Sequence, residues 1–481
     1  MKLNSVSMKL FQCVGLSWLA LAVAPLWAQE QTSPSTTAPT SVPAPAASAP
    51  LLAVALDRDE DSERMPTPPP VSGETYPVAS LAAARANYLR GGVTFNSAYI
   101  DNVLGSGAHP VSDISYSVWP TLALDESTPR LHWLLNYAPG FTFYQRISAR
   151  NETDQTASLD VQYRLSPHVT VAARDAFQKS SNVFNQPNLA AAGAVSGGVQ
   201  QANDSVIAPV ADRLSNTGNA GITYQFATNS LIGASGTFSN LHYPDSAEVP
   251  GLVDSESQGG TAFYSYRINP VNTVGVTYQY QRLLSYPAAA TNQTETHAAL
   301  LFYVLYPQPR FSISVFGGPQ YADSGVQFFP GATATTSATA PAAHSWNPAA
   351  GGSLSWQGRW SNIALSYAHL ISSGGGLVGA VRQDSAGVSL GQQITHSLSA
   401  SVAGGYAQND LLAALPLPGG NGHTISGTAT LQQQWGQHFN LQLGYTRLHQ
   451  DYSQVAVLAT APDTNREFIS LSYQFSRPLG R

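Results

Sequence analysis

"ASLDVQYRL", residues Ala157–Leu165, decides the fold. Ala157, Leu159, Val161, Tyr163 and Leu165 fall on one side of a period of two, with Ser158, Asp160, Gln162 and Arg164 on the other. That alternation is a β-strand with unlike faces. It recurs in "GITYQF" (Gly221–Phe226), "TAFYSYRI" (Thr261–Ile268), "NTVGVTYQYQ" (Asn272–Gln281), "SNIALSY" (Ser361–Tyr367) and "NLQLGY" (Asn440–Tyr445). From about Tyr88 to Phe475 the chain keeps this texture.

Connections sharpen the reading. "STPR" (Ser127–Arg130), "SPH" (Ser166–His168), "ATNS" (Ala227–Ser230), "NPV" (Asn269–Val271), "GRW" (Gly358–Trp360) and "GQH" (Gly436–His438) are tight. Between them lie longer linkers, such as 179–215, 245–256, 323–345, 410–422 and 451–464. Short and long alternate, so one end of a meander is trimmed and the other elaborated. The connections imply about 18 strands, with 16 as the alternative if one hairpin is miscounted near Gly91–Val103 or Ala349–Trp356.

Composition says which solvent such strands meet. Charged residues are 10% of the 481-residue chain, against about 25% in an ordinary soluble domain. The mean hydropathy is nevertheless only -0.10; Ser, Thr, Asn, Gln, Gly and Tyr replace the missing charge. A formal net charge of -6 argues against a nucleic-acid partner, which needs basic residues. Past the N-terminus there is no apolar run of about 18 residues, so any membrane crossing uses strands. A bilayer cannot hydrogen-bond an open sheet edge, so the sheet must close on itself. The expected fold is therefore an all-β transmembrane antiparallel barrel over residues 88–475. A soluble propeller or sandwich also alternates, but would carry charge where this chain carries Ser, Thr, Gln and Gly.

The N-terminus reads as an export leader over 1–28. Lys2 and Lys9 precede the apolar stretch Val14–Ala24, and Ala28 offers a cleavage point. The only cysteine, Cys13, falls inside it, so the mature chain has no disulfide or thiolate metal site. Residues 29–87 are rich in Pro, Ala and Ser and read as a disordered periplasmic linker. Within it, Asp57, Asp59 and Asp61 match the start of a calcium loop, but Ser62 and Pro68 stand where its Gly and Glu belong; a solvated charge run is the better reading.

With its leader, its hairpin rhythm and its last strand, the chain resembles bacterial outer-membrane β-barrel proteins, porin-like ones in particular. The resemblance covers Tyr88 to Phe475 and lies in architecture. It implies an outer-membrane location reached across the inner membrane, lipid and the barrel-assembly machinery as partners, and an assembly signal in the last strand. Ile469, Leu471, Tyr473 and Phe475 match that signal; the chain continues with a tail, Ser476 to Arg481. In classical porins the third loop narrows the pore; by position residues 179–214 are the candidate for that role, with a disordered surface loop as the alternative.

A barrel of this size leaves an aqueous lumen. The candidate pore-lining residues are Asp160, Gln162, Arg164, Arg174, Arg267, Gln279, Gln432, Gln442 and Gln474. Five of the nine are amides and four are charged. Asp160, Arg164, Arg174 and Arg267 either set a charged field that filters solutes or solvate a polar wall and pair with each other. The amides and hydroxyls of the polar faces suggest passive diffusion of small neutral or weakly charged solutes. Polysaccharide export and a structural or adhesive barrel without transport are the alternatives. No catalytic, cofactor or metal set stands out: the 11 histidines are scattered, and none shows metal spacing in an acidic context. The linker suggests a cell-wall or periplasmic partner. Oligomeric state is not legible.

Overall fold

The computed structural model describes residues 87–105, 109–180, 206, 212–246, 249–287, 290–308, 310–328, 343–412, 421–452, 455 and 463–479. The readings of the leader, the linker and most of 179–214 lie outside the described residues. Eighteen strands make up the rest: β1 Tyr88–Ile100, β2 Asp113–Ser127, β3 Leu131–Tyr144, β4 Glu152–Arg164, β5 Val169–Ser180, β6 Arg213–Ala227, β7 Ser230–His242, β8 Asp254–Asn269 and β9 Asn272–Tyr286. They continue as β10 Ala290–Gln308, β11 Phe311–Phe328, β12 Ala343–Gln357, β13 Ser361–Ser373, β14 Ala380–Gln393, β15 Leu398–Leu411, β16 Asn421–Trp435, β17 Phe439–Tyr452 and β18 Thr464–Pro478.

Each strand pairs antiparallel with the next, and β18 pairs with β1. The sheet closes and keeps no edge strand. Both ends of the meander fall on the side of the tight turns, as an even strand number requires. At the other end one connection, after β9, is as short as a turn; there the ladder itself is taller, and β10 and β11 have 19 and 18 residues. The closing register sets Gly92 against Gln474 and Ser97 against Ile469. It runs past Phe475 to Tyr88↔Pro478, and the Leu479 amide then donates to the Asn87 carbonyl at 2.9 Å. Pro478 has no N–H to give, so it occupies the last rung without adding a bond.

The two faces are opposite in kind. On β1 and β18, Phe95, Ile469, Leu471, Tyr473 and Phe475 are exposed, whereas Thr94, Asn96, Ser470 and Ser472 are buried. The exposed apolar set continues round the wall through Leu122, Phe141, Ile222, Tyr264, Val276, Leu301, Leu365, Val402 and Ile425. A closed sheet that is apolar outside and polar inside is a membrane-spanning barrel. Tyr163, Tyr224, Tyr266, Trp356, Trp360 and Trp435 are exposed beside the short turns, where amphipathic rings meet headgroups. Tyr306 does not join them. It shares the inward parity of Leu300, Phe302 and Val304 and packs against them.

Asp113 anchors the elaborated end. It is 2% exposed, and its carboxylate accepts from the amides of Arg146 (3.0 and 3.1 Å) and Ile147 (2.9 Å) in the connection after β3. Removing the acceptor strands two amides. We expect Asp113→Ala to cost about 2–6 kcal/mol, at roughly 1–3 kcal/mol for each of the two groups left unsatisfied. Urea unfolding in detergent micelles measures it, and Asp113→Asn should retain part of the loss.

Candidate functional site: the lumen and its mouth

All nine sequence candidates stand on the inward parity of their strands. Asp160 and Arg174 oppose each other across β4 and β5. They are joined at 2.8 Å through Arg174 Nη2 and 3.0 Å through Nε, so this cation and anion cancel locally. Gln162 and Arg164 follow Asp160 toward the short turns. Gln432 and Gln442 oppose each other across β16 and β17, and the Ser470 hydroxyl reaches Gln442 Oε1 at 3.5 Å. Gln279 is buried on β9. Arg267 sits at the short-turn rim, where it holds Thr228 O at 2.9 Å and Asn229 Oδ1 at 3.2 Å. Gln474 is at the same rim, its carbonyl 2.8 Å from His438 Nδ1. The structure thus gathers Asp160 with Arg174 and Gln432 with Gln442, and leaves Arg267 and Gln474 apart from them.

Around β1, β2, β17 and β18 the inner wall is knitted by neutral polar groups. Thr94 and Ser472 share a hydrogen bond of 2.9 Å, and Asn96 donates to Ser117 at 3.4 Å. Farther round, Ser314 with Ser353 (2.7 Å) and Ser401 with Thr430 (2.6 Å) repeat the pattern. These contacts join neutral groups, with Asp113 on β2 and Arg466 on β18 the charged side chains buried beside them.

Two features were missed from sequence. One is an apolar inner patch over β7–β12, in which Leu231, Phe263, Ala298, Leu300, Phe302, Val304 and Ala349 are buried together. Its signal is the run "HAALLFYVLY" (His297–Tyr306), which does not alternate; a strand apolar on both faces has apolar matter on both sides. The other is the mouth. Val206 from the connection after β5, Leu241, Tyr243, Val249 and Leu252 at the β7–β8 connection, Leu377 and Val381 of the β13–β14 hairpin, and Tyr452 and Val455 at the end of β17 form one buried cluster. These segments belong to widely separated arcs of the wall. They can meet only by folding across the opening at the elaborated end.

Polar contacts hold the crossing in place. The Val253 amide donates to Gly376 O at 2.7 Å, and the Tyr243 hydroxyl lies 3.5 Å from Gly375 O. Gly376 has φ +103, and a Cβ there would lie 2.6 Å from Tyr243 Oη; both conformation and contact demand glycine. Asn409 Nδ2 donates to the Tyr452 hydroxyl at 3.0 Å, and Thr424 Oγ1 is 2.9 Å from it. Residues 179–214, read as either a constriction or a surface loop, contribute Val206 to this cluster; 181–205 and 207–211 lie outside the described residues.

Histidine–carboxylate pairs ring the same end: His242 with Asp254 (2.6 Å), His344 with Asp323 (3.2 Å), His369 with Asp384 (2.8 Å) and His449 with Asp463 (2.7 Å). At Asp463, just before β18, burial pushes the carboxyl pKa up. Hydrogen bonds from His449 and Arg447, with their charges, outweigh it and hold the group below the usual carboxylate range. No group of three or more metal-ligating side chains occurs among the described residues.

No known protein family matches the sequence, and no curated protein does. Among solved structures, OccAB4 of Acinetobacter baumannii aligns over 82% of this chain and 99% of its own, at 11% identity and a TM-score of 0.36. The outer membrane protein OpdK of Pseudomonas aeruginosa aligns over 81% and 99%, at 10% identity and 0.38. The unliganded ferric citrate transporter FecA aligns over 83% and 80%, at 11% identity and 0.43. Likeness this distant is general, and the closed barrel rests on its own strand pairing.

Proposed function

We propose that the chain is an outer-membrane channel for small neutral or weakly charged solutes, with its mouth narrowed from the elaborated end by the crossed loops. The observation that carries this is the wall itself: lipid-facing apolar groups outside, and inside a lining rich in hydroxyls and amides, in which Asp160 and Arg174 neutralise each other and cations such as Arg213 and Arg466 are buried against the wall. Such a lining replaces part of a solute's hydration without attracting one sign of ion strongly. The mouth cluster favours small conductance steps over large ones.

The test is planar-bilayer recording with purified full-length protein across a KCl gradient. Discrete steps with a reversal potential near zero are expected, and liposome swelling should follow the size of a neutral sugar. Strong anion or cation selectivity would overturn the neutral-solute reading. Silence of both the natural chain and a variant with a loosened mouth would leave a structural barrel as the better description.

A further inference from the structure

The ladder between β12 and β13 is the shortest in the barrel. It runs from Gln357↔Asn362 only to Ala350↔His369. Beyond that rung β12 continues to Ala343 on β11 alone, and β13 continues to Ser373 on β14 alone. At about 3.3 Å per residue, the unpaired edge of β12 is on the order of 20 Å long.

Proline explains where the pairing stops. Pro319 and Pro348 oppose each other across β11 and β12. Neither has an N–H, so the pair is of the non-bonded kind, and each ring nitrogen turns toward its other neighbour. On one side the β10–β11 ladder skips the rungs between Ala298↔Gln320 and Leu301↔Gly317. On the other, Pro348 offers β13 no donor, and the ladder does not resume. Continued register would set Ile371 against Pro348. Instead the Ile371 amide donates to Gln320 Oε1, a side chain from the inner face of β11, at 3.1 Å. The Ile371 side chain is 1% exposed and packs with Leu283 and Ala322, both on inward-facing positions. The end of β13, still paired with β14, has parted from β12 and bends toward the lumen. Its hairpin is held there by Gly379 N–H to Ser285 Oγ of β9, at 2.9 Å.

This seam starts at the rung of His369, whose pair with Asp384 rims the elaborated end, so it lies at the upper border of the apolar belt. On the outer face of β12, Trp346 is 72% exposed; His344, paired with Asp323, comes only two residues higher. On the lumenal side the neighbouring wall is the apolar patch of Leu300, Phe302 and Ala349, with Phe316 packed against it. So apolar surface lies inside, the upper border of the lipid lies outside at Trp346, and between them one side-chain hydrogen bond and the Ile371 side chain take the place of a ladder. A hydrophilic solute gains nothing on such a path; an alkyl chain loses nothing.

We propose that the β12–β13 seam is a lateral gate, through which an apolar or single-chain amphipathic molecule, such as a long-chain carboxylate, passes between the lumen and the bilayer. The proposal rests on the membrane-channel reading but not on conduction of hydrophilic solutes. Palmitate tests it, in liposomes holding the full-length barrel with p-benzoylphenylalanine replacing Phe302 in the lumen, or Leu301 on the lipid face. Light should attach bilayer-supplied palmitate at both positions. Gln320→Ala, which frees the Ile371 amide, should raise attachment at 302 by about fivefold, the population change expected for one typical hydrogen bond, and leave 301 unchanged. Ser353, on the inner face of β12, serves as a second lumenal position if replacing Phe302 prevents folding. Attachment at 301 with none at either lumenal position, in the natural background and in Gln320→Ala alike, overturns the gate. Lumenal attachment without conductance steps would instead keep the gate and overturn the hydrophilic channel.

Discussion

Leu377→Asp is expected to raise single-channel conductance severalfold while the barrel stays folded. Leu377 is 3% exposed and sits where the β13–β14 hairpin meets Tyr243, Val249 and Leu252 from across the mouth. Full burial of such side chains is worth about 1.5–3 kcal/mol each, and that is what holds the loops over the opening. A carboxylate in their midst cannot stay ionised without a partner, and the cluster offers none of opposite charge. The loops should part and the mouth widen. The wall should not follow, because its strands are joined by ladder hydrogen bonds that the cluster does not supply. Two measurements separate the effects: conductance in planar bilayers, and heat-modifiable mobility of the folded barrel on gels. Leu377→Met keeps the apolar contact and should leave both unchanged. Unchanged conductance with Leu377→Asp would mean that the narrow point lies deeper, in the wall.

Trp119→Ala should destabilise the barrel by about 3–5 kcal/mol, the range for removing a large buried aromatic side chain. Trp119 is 1% exposed and lies on the inner face over Gly140. A Cβ at residue 140 would come within 2.5 Å of Trp119 Cζ2 and 2.6 Å of Cε2. Gly140→Val should therefore also be destabilising, by overpacking. The clash is with the ring and not with backbone, so the two changes should couple. Gly140→Val should cost less in the Trp119→Ala background, by about 0.5–3 kcal/mol, the usual coupling for residues in contact. Equilibrium urea unfolding of the four proteins in detergent gives the cycle. Additive costs would mean that Trp119 is held by other contacts and that Gly140 matters only to its own backbone. The β2–β3 ladder is interrupted here, with no rungs between Val118↔Phe141 and Leu122↔Tyr137, and Pro120 and Pro139 lie in that gap. Ring packing stands in for missing hydrogen bonds, which is why the effect should be large.

Much of the wall could be read from the chain. The alternation in Ala157–Leu165 placed Leu159 and Tyr163 outside and Asp160, Gln162 and Arg164 inside, and β4 carries them so. The strand number followed from the rhythm of the connections, and the closure of the sheet from the bilayer's demand that no edge remain. Tyr306 shows the limit of that logic. An aromatic ring beside a short turn reads as part of the interfacial girdle, yet the run it ends, His297–Tyr306, is apolar on both faces, and parity turns the ring inward.

What sequence by itself determined was therefore the local and periodic part. A period of two assigns each side chain a face, a bilayer demands that the sheet close, and tight turns fix which end the chain termini share. The tertiary structure alone decided what fills the enclosed space. Val206, Tyr243, Leu377 and Tyr452 are far apart in the chain and come from different arcs of the wall, and no pattern along the chain brings them together. Their meeting depends on how loops fold across an opening whose width only the closed barrel defines. The seam beside Pro348 belongs to both. The proline was visible as a missing donor, but only the register across three strands shows that its nitrogen faces β13, and so which ladder it ends.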